Sequence, residues 1–547
     1  MEIKKNDDIQ LDIESMTSEG FAVGHYRGLA VFVRGAVPGD KIIAHVIKTS
    51  KRYAVATLKE IIKKSLRRIS SDCPVSSKCG GCSFRNMTYA EELKYKKSRI
   101  EDAVKRIGHL NVPVNDVVGA DEIDGYRNKA QYPVTISDGE LFAGFYTYKS
   151  HRIIPCNSCR LQPKEFEQCI DAFSQWVEKN NITSYDENTG RGLLRHIYLR
   201  KAFGTGEIMA CAVINGNTLP DYDYLAEMLS AVSGMKSICY NINRDRTNVI
   251  LGSETVTVWG SDNITDVLLG KKFVISPNSF YQVNHNQCEK LYSVAKEYAA
   301  LTGSETLIDL YCGAGTIGLT MSDDVSRLIG VEVVPQAIEN AKINAELNGV
   351  KNAEFYCGDA FDLAKKLKSE KIQPDVIVLD PPRKGCQKEL FDVIDSMSPQ
   401  RIVYVSCDSA TLARDLALLA EKNYITQKIT PVDMFPRTPH VETCCLLVRE
   451  CANDDEVVSI KVDLEGISLD QGKFEPDEKP TYGNIKKWIK EKYGFNVTNL
   501  YIGQIKDKVG MEKRKNYNIG SGEGRVPTCP QEKEKAIMEA FKHFGLM

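Results

Sequence analysis

The stretch Thr306-Leu-Ile-Asp-Leu-Tyr-Cys-Gly-Ala-Gly-Thr-Ile-Gly318 decides the fold. An apolar run of strand length meets a glycine-rich turn, and the turn opens a helix. Glu332 closes the next apolar run, Leu328-Ile-Gly-Val-Glu332, 19 residues beyond Gly313. Glycines at such a turn let the backbone approach a nucleoside, and an acid at the next strand end can hold ribose hydroxyls. On this motif alone NAD and S-adenosylmethionine fit equally. Further strand-like runs at Asp375–Leu379, Ile402–Val405 and Cys444–Val448, separated by helical runs such as Ala337–Asn348, predict a doubly wound α/β sheet over 285–450.

Three features around this core shift the balance toward methyl transfer. Asp380-Pro-Pro-Arg383 follows the run 375–379, at the carboxyl edge where open α/β sheets bind ligands. A rigid Pro-Pro loop there suits an enzyme that presents a base to S-adenosylmethionine, and a dehydrogenase has no use for it. Arg383, where an aromatic would stack on the base, argues against attack by an exocyclic amine. Cys407 ends Arg401-Ile-Val-Tyr-Val-Ser-Cys407 and precedes the helical run Thr411–Leu419, so a helix N-terminus favours its thiolate. Glu442, 35 residues on in Pro439-His-Val-Glu-Thr443, is the expected base. Carbon 5 of uracil cannot take a methyl group directly. A thiolate adding at carbon 6 creates the electron density that carbon 5 lacks, and a base must then remove its proton. Taken alone, a strand-end cysteine is more often buried packing, and a lone glutamate is more often surface.

Upstream, residues 1–62 alternate apolar and polar in short runs: Ile9–Ile13, Gly20–Gly24, Leu29–Val33, Lys41–Ile47 and Tyr53–Leu58. Five such runs predict a small closed barrel of OB-like type. Residues 63–284 follow as a strand-rich central region with a helix over 89–107 and another near 163–179. This region opens on Cys73-x5-Cys79-x2-Cys82 around Gly80-Gly81. In a reducing compartment, clustered cysteines point to a metal centre or catalysis rather than to disulfides. Three thiols with a distant fourth suit a 4Fe–4S cluster, and Cys156 or Cys159 can supply the fourth. Other cysteines, including Cys211, Cys239, Cys357, Cys444 and Cys445, sit in apolar runs as small hydrophobes. From Asp454 the character changes: 453–480 reads as a linker and a short β segment, and the Lys-rich remainder of 451–547 as a partly helical extension without a legible role.

A chain of 547 residues exceeds one core and predicts three or four domains. The net charge of −2 gives no global pull toward nucleic acid, but charge is segregated: Lys48–Arg68 carries Glu60 as its one acid, and Lys94–Arg106 is also basic. No leader pattern and no apolar run of about 18 residues stands in the sequence, so a cytoplasmic protein without a membrane partner is expected.

At these motifs the chain resembles the RNA (uracil-C5)-methyltransferase family, in its iron–sulfur 23S rRNA branch with an N-terminal TRAM domain. The likeness spans about 5–450 and adds Ser276-Pro-Asn-Ser-Phe-Tyr-Gln282 to the motifs above. It implies Cys407 as nucleophile and Glu442 as base. It implies S-adenosylmethionine contacts at Gln282, Tyr311, Glu332, Asp359 and Asp380. Cluster ligands would be Cys73, Cys79, Cys82 and Cys159, the last preferred over Cys156 because Arg-Leu-Gln follows it. The resemblance further implies that helix 89–107 packs on the catalytic domain, and that Tyr126-Arg-Asn-Lys129 and Arg195-His196 face RNA. The RNA would be 23S rRNA, with tRNA as the alternative, and the enzyme a monomer. A non-catalytic RNA-binding scaffold is the rival reading.

Overall fold

Five strands, in the order Asp8–Met16, Ala22–Tyr26, Leu29–Arg34, Tyr53–Lys63 and Lys41–Thr49, close into a barrel. Leu11, Ile13, Val31, Val33, Ile42, Ala44 and Ala54 point inward at every second position, while the partners between them face out. The parallel pairing of Leu29–Arg34 with Tyr53–Lys63 removes the last open edge. The structure is a computed structural model that describes residues 3–450, 482–495, 497, 499–509 and 529–544. The chain divides into two compact units, one up to residue 454 and one from 455.

After the cysteine loop, helix Tyr89–Arg106 packs on helix Ser409–Ala420, and its Ile100 and Val104 share a core with Leu310, Leu379, Leu412 and Leu447. The apolar pattern predicts a buried stripe through 93, 100, 103, 104 and 107. The observed stripe is Glu92, Lys96, Ile100, Ala103 and Val104, and Ile107 is 46% exposed. Two charged residues lie at the interface because they pair with each other, which apolar periodicity cannot reveal.

The central sheet has seven strands, from Glu254–Gly260 through Met235–Ile242, Ile208–Ile214, Leu194–Lys201, Lys129–Ser137 and Glu140–Tyr146 to Ile153–Pro155. Helices Glu165–Asn180 and Tyr222–Ser230 bury Phe166, Phe173, Trp176, Leu225 and Leu229 in a core shared with it. The shorter helix, only 9 residues, does not register as a separate period in the sequence. A hairpin, Ile264–Leu268 with Lys271–Ile275, leads into the third layer.

That layer is a second seven-stranded sheet in the order Ala353–Cys357, Arg327–Glu332, Thr306–Leu310, Val376–Leu379, Arg401–Ser406, Glu442–Arg449 and Tyr424–Val432. The first five run parallel, as the doubly wound reading expects. The sixth does not, while the seventh, antiparallel to the sixth, runs with the first five. Glu442–Arg449 inserts antiparallel between Arg401–Ser406 and Tyr424–Val432. This reversal matters for the site.

In the second unit, helices Tyr482–Tyr493, Asn499–Lys508 and Gln531–His543 enclose Ile485, Ile489, Ile502, Ile505, Ile537 and Phe541. The linker and β segment expected over 453–480 lie outside the described residues. Among the described residues no helix is long and apolar enough to cross a membrane.

Candidate active site

Parallel strands end on one edge of their sheet, and here the turns beyond those ends line a single cavity of about 960 Å³. Gly313 and Ala314 follow the first central strand, Val333 and Val334 its neighbour, and Gly358 and Asp359 the edge strand. Asp380–Gly385 and Cys407 follow the next two. Glu442 would end at the far edge if its strand ran parallel. Because it runs antiparallel, with Thr443 opposite Ser406, its first residue lands beside Cys407. All seven residues expected at the site, Gln282, Tyr311, Glu332, Asp359, Asp380, Cys407 and Glu442, line this one cavity.

Local bonds and backbone geometry fix several of them. Glu332 accepts from Gly313 N at 3.2 Å and from Val334 N at 3.0 Å, so one carboxylate ties the glycine turn to the next strand. Tyr311 takes a left-handed φ of 71°, a strained state for a bulky residue that turns the chain into Gly313. Asp359 caps helix Ala360–Ser369 by accepting from Phe361 N at 2.9 Å. The Gln282 carbonyl accepts from Asn128 Nδ2 at 2.7 Å. The Pro-Pro loop is pinned behind by buried Asp415, which accepts from Cys386 N at 2.9 Å and Tyr404 Oη at 2.6 Å.

Asp380, Cys407 and Glu442 line the cavity with Arg383, whose charge acts on both Cys407 and Glu442. Burial holds the Asp380 carboxyl up at about 7. Burial and the Asp380 charge push Glu442 to about 8, against the pull of Arg383. The Cys407 thiol stands at about 11, raised first by burial and then by Glu442 and Asp380, with Arg383 opposing. The helix N-terminus expected to favour the thiolate is therefore outweighed by burial and two neighbouring acids. Cys407 rests as a thiol, and Glu442 is largely protonated at neutral pH.

Residues 241–450 match the profile of tRNA (Uracil-5-)-methyltransferases. An RNA methyltransferase of Clostridium acetobutylicum is 45% identical over 451 residues, covering 82% of this chain and 98% of the relative. One from Halalkalibacterium halodurans is 43% identical over 447 residues, covering 81% and 98%. Among solved structures, the Pyrococcus abyssi tRNA (uracil-54, C5)-methyltransferase in complex with S-adenosyl-L-homocysteine superposes with a TM-score of 0.66 at 27% identity. That superposition covers 80% of this chain and 100% of the other.

The chain belongs to the RNA (uracil-5-)methyltransferase family. It is accordingly an S-adenosylmethionine-dependent RNA methyltransferase, and a nicotinamide-linked reading of the glycine turn falls away.

This RNA methyltransferase has further cavity residues that sequence reasoning does not single out: Phe280, Phe435, Thr438 and His440. His440 and Phe280 lie inside quoted motifs without an assigned role. Arg127, in the Tyr126-Arg-Asn-Lys129 stretch expected to face RNA, lines the cavity as well. Of the residues expected to face RNA, Tyr126 is buried with its hydroxyl donating to Pro436 O at 2.9 Å. Arg195 and His196 are buried too, because strand Leu194–Lys201 is covered on both faces. Arg195 Nη1 donates to Asn243 O and Asp245 O, and burial drives His196 down to about 4. Neither is placed to meet RNA.

A second, much smaller cavity of about 40 Å³ gathers Cys73, Cys79, Cys82, Cys156 and Cys159 beside Arg85 and Arg127. Gly80 is required there: a Cβ would stand 2.8 Å from Tyr146 O, where Gly80 N bonds that same carbonyl at 2.9 Å. Burial raises Cys82 to about 12. Cys159 is shifted down, chiefly because Cys156 donates to it, with Arg127 and Arg85 helping. Among the described residues, no three His, Cys, Asp or Glu side chains are grouped closely enough to hold a single metal ion. A multi-iron core spreads its thiolates more widely than one ion does, so five thiols around one small cavity suit such a core in chemistry. Cys79/Cys82 and Cys156/Cys159 are also two C-x2-C pairs, a zinc pattern that the triplet alone does not reveal.

Proposed function

We propose that this enzyme methylates carbon 5 of a specific uridine in 23S rRNA through a covalent bond between Cys407 and carbon 6. The observation that carries the reading is the antiparallel insertion of Glu442–Arg449, which sets Glu442 against Cys407 at the cavity that also holds Asp380 and Arg383. When bound, S-adenosylmethionine supplies the methyl group from its sulfonium. Asp380, with no cation bonded to it, and Glu332, Asp359, Gln282 and Tyr311 suit that ligand, and exposed Val333 and Val334 offer its base an apolar seat. Cys407 passes its proton to solvent as its sulfur bonds to carbon 6, and Arg383 offsets the anion that develops. The electron pair released onto carbon 5 forms the new bond to the methyl carbon as the methyl–sulfur bond breaks, its electrons leaving with the neutral thioether. Glu442 then takes the carbon-5 proton, the carbon 5–carbon 6 double bond returns, and the thiolate leaves.

In the same reading residues 1–62 are a TRAM barrel that binds RNA, 63–284 a central iron–sulfur and RNA-binding domain, 285–450 the methyltransferase domain, and 451–547 an extension of separate role. Cys73, Cys79, Cys82 and Cys159 hold a 4Fe–4S cluster. None of the steps above passes an electron, so its part is structural or in positioning RNA. The five-thiol cavity supports this assignment. A second reading, with a tRNA uridine as target, is favoured by the likeness to the P. abyssi enzyme. Mass mapping of 5-methyluridine in RNA from a deletion strain separates the two. Loss of one site in 23S rRNA supports the first, loss confined to tRNA supports the second, and loss from neither overturns both.

A further inference from the structure

The loop between the last two strands, 433–441, walls the cavity with Phe435, Thr438 and His440 and runs directly into Glu442. Six carbonyls of this loop are held by residues from elsewhere. Asp433 O and Met434 O accept from Gln287 Nε2 and Asn284 Nδ2. Phe435 O accepts from Lys96 Nζ, Pro436 O from the Tyr126 hydroxyl, and Pro439 O from Arg99 Nη1. Arg437 O accepts twice, from Ser83 N at 3.0 Å and Phe84 N at 3.1 Å, the two residues that follow Cys82.

Arg437 makes further bonds of its own. Its N donates to Glu92 Oε1 at 2.7 Å and its Nη1 to Met87 O at 2.9 Å. Glu92, fully buried, pairs with Lys96 at 2.7 Å, and Lys96 reaches Asp433 at 2.5 Å. Arg437 has a φ of +69°, a left-handed state that costs a long side chain energy and persists only where the surroundings over-determine it. Here the cysteine loop, the helix Tyr89–Arg106 and the cavity wall all meet on this one residue.

We propose that Arg437 is a positioning residue through which the cysteine loop and helix Tyr89–Arg106 set the wall that holds the target base. The inference rests on the mechanism proposed above, because the wall matters only if a uracil sits between Cys407 and Glu442. The glycine turn and Glu332 lie on other segments of the sheet edge and take no bond from this network. Losing the tie therefore acts on the base side of the cavity and spares the methyl-donor side.

Arg437→Ala is expected to slow single-turnover methylation at saturating S-adenosylmethionine about 10²-fold, the scale of a displacement near 1 Å. Donor affinity by calorimetry stays within about twofold, because those contacts are not removed. Arg437→Lys keeps a cation in reach of Met87 O and recovers most of the rate. Hydrogen exchange of amides in 433–441 rises in Arg437→Ala and also in Cys82→Ser, while 306–318 stays protected. Donor affinity lost together with rate, or no recovery with lysine, overturns positioning in favour of plain destabilisation. Unchanged exchange of 433–441 in Cys82→Ser overturns the link to the cysteine loop, and that variant reads out even if Arg437→Ala does not fold. If Cys407→Ala still methylates RNA, the mechanism is wrong. If it is inactive while Arg437→Ala turns over at the wild-type rate, only the present inference falls.

Discussion

The catalytic cavity and the cysteine pocket are built by opposite means. The cavity hangs from strand ends, and its side chains are fixed by a sheet whose backbone bonds are complete without a ligand. The pocket is made by the loop 73–82 and the turn 155–160, joined to neighbours by a few bonds such as Gly80 N to Tyr146 O and Arg34 Nη2 to Cys79 O. Their sizes, about 960 and 40 Å³, suit a nucleotide-scale ligand in one and an inorganic group in the other. The cavity residues sit on the rigid sheet, and the clustered thiols sit on a loop and a turn. The comparison predicts that changes in the cavity alter rate without loosening the fold, and that changes in the pocket loosen the fold and reach the rate only through it.

The largest effect is expected for Cys407→Ala. Without the sulfur no density reaches carbon 5, so methylation falls by about 10⁴-fold or more, as when a covalent nucleophile is removed elsewhere. Calorimetry should show S-adenosylmethionine binding close to wild type, since the thiol acts on the base. Residual methylation within tenfold of wild type breaks the covalent route (a tenfold change being about 1.4 kcal/mol).

Glu442→Gln comes next, with a loss of about 10²–10⁴-fold, the usual range for a general base. Its signature differs from that of Cys407→Ala. Addition and methyl transfer proceed, but the carbon-5 proton stays, so an RNA–protein adduct survives denaturation on a gel. An RNA shift that vanishes on denaturation removes Glu442 from the role of base.

How far these residues could be read in advance follows the same division. The strand–turn–helix at 306–318, the five-run barrel and the pair Cys407 and Glu442 are local patterns, and local patterns survive in a single sequence. Three things do not. The antiparallel insertion of Glu442–Arg449 depends on pairing across about forty residues, so the sequence marks the base but not why it reaches the thiol. Glu92 and Lys96 fall outside the apolar stripe predicted for their helix, and beyond their own pairing two partners, Asp433 and Arg437, stand more than three hundred residues away. Arg195 and His196 read as RNA-facing because neither charge nor motif reports that both faces of their strand are covered.

Cys159→Ser against Cys156→Ser tests the pocket. Anaerobically purified protein should absorb broadly near 400 nm, roughly where thiolate–iron bands fall, and Cys159→Ser should bleach it while Cys156→Ser does not. The bleached variant should lose stability and gain exchange in 73–82, yet bind S-adenosylmethionine as before. Iron lost only with Cys156→Ser moves the fourth ligand to Cys156. Stoichiometric zinc without iron replaces the cluster with the two C-x2-C pairs acting as a zinc site.

The smallest expected effect brings the comparison down to one carboxyl. Glu442 stands at about 8 in the folded protein against an ordinary 4.5, raised first by burial and then by Asp380. A group held up in this way contributes stability that is full below about 4.5 and is lost as pH rises through about 8. Ionised Glu442 is nevertheless the form that accepts the proton. Turnover should therefore climb through pH 7 to 9 over the range in which the fold weakens. Glu442→Gln removes one slope and abolishes the other. Its melting temperature should exceed that of wild type at pH 8.5 and match it near pH 4.5, by about 2–4 °C for each kcal/mol recovered. Asp380, held near 7 by burial, keeps a residual decline in both proteins, so the difference between them isolates Glu442. Equal melting temperatures at both pH values would mean that the folded protein does not hold Glu442 against ionisation, and the base would then be available without cost at neutral pH.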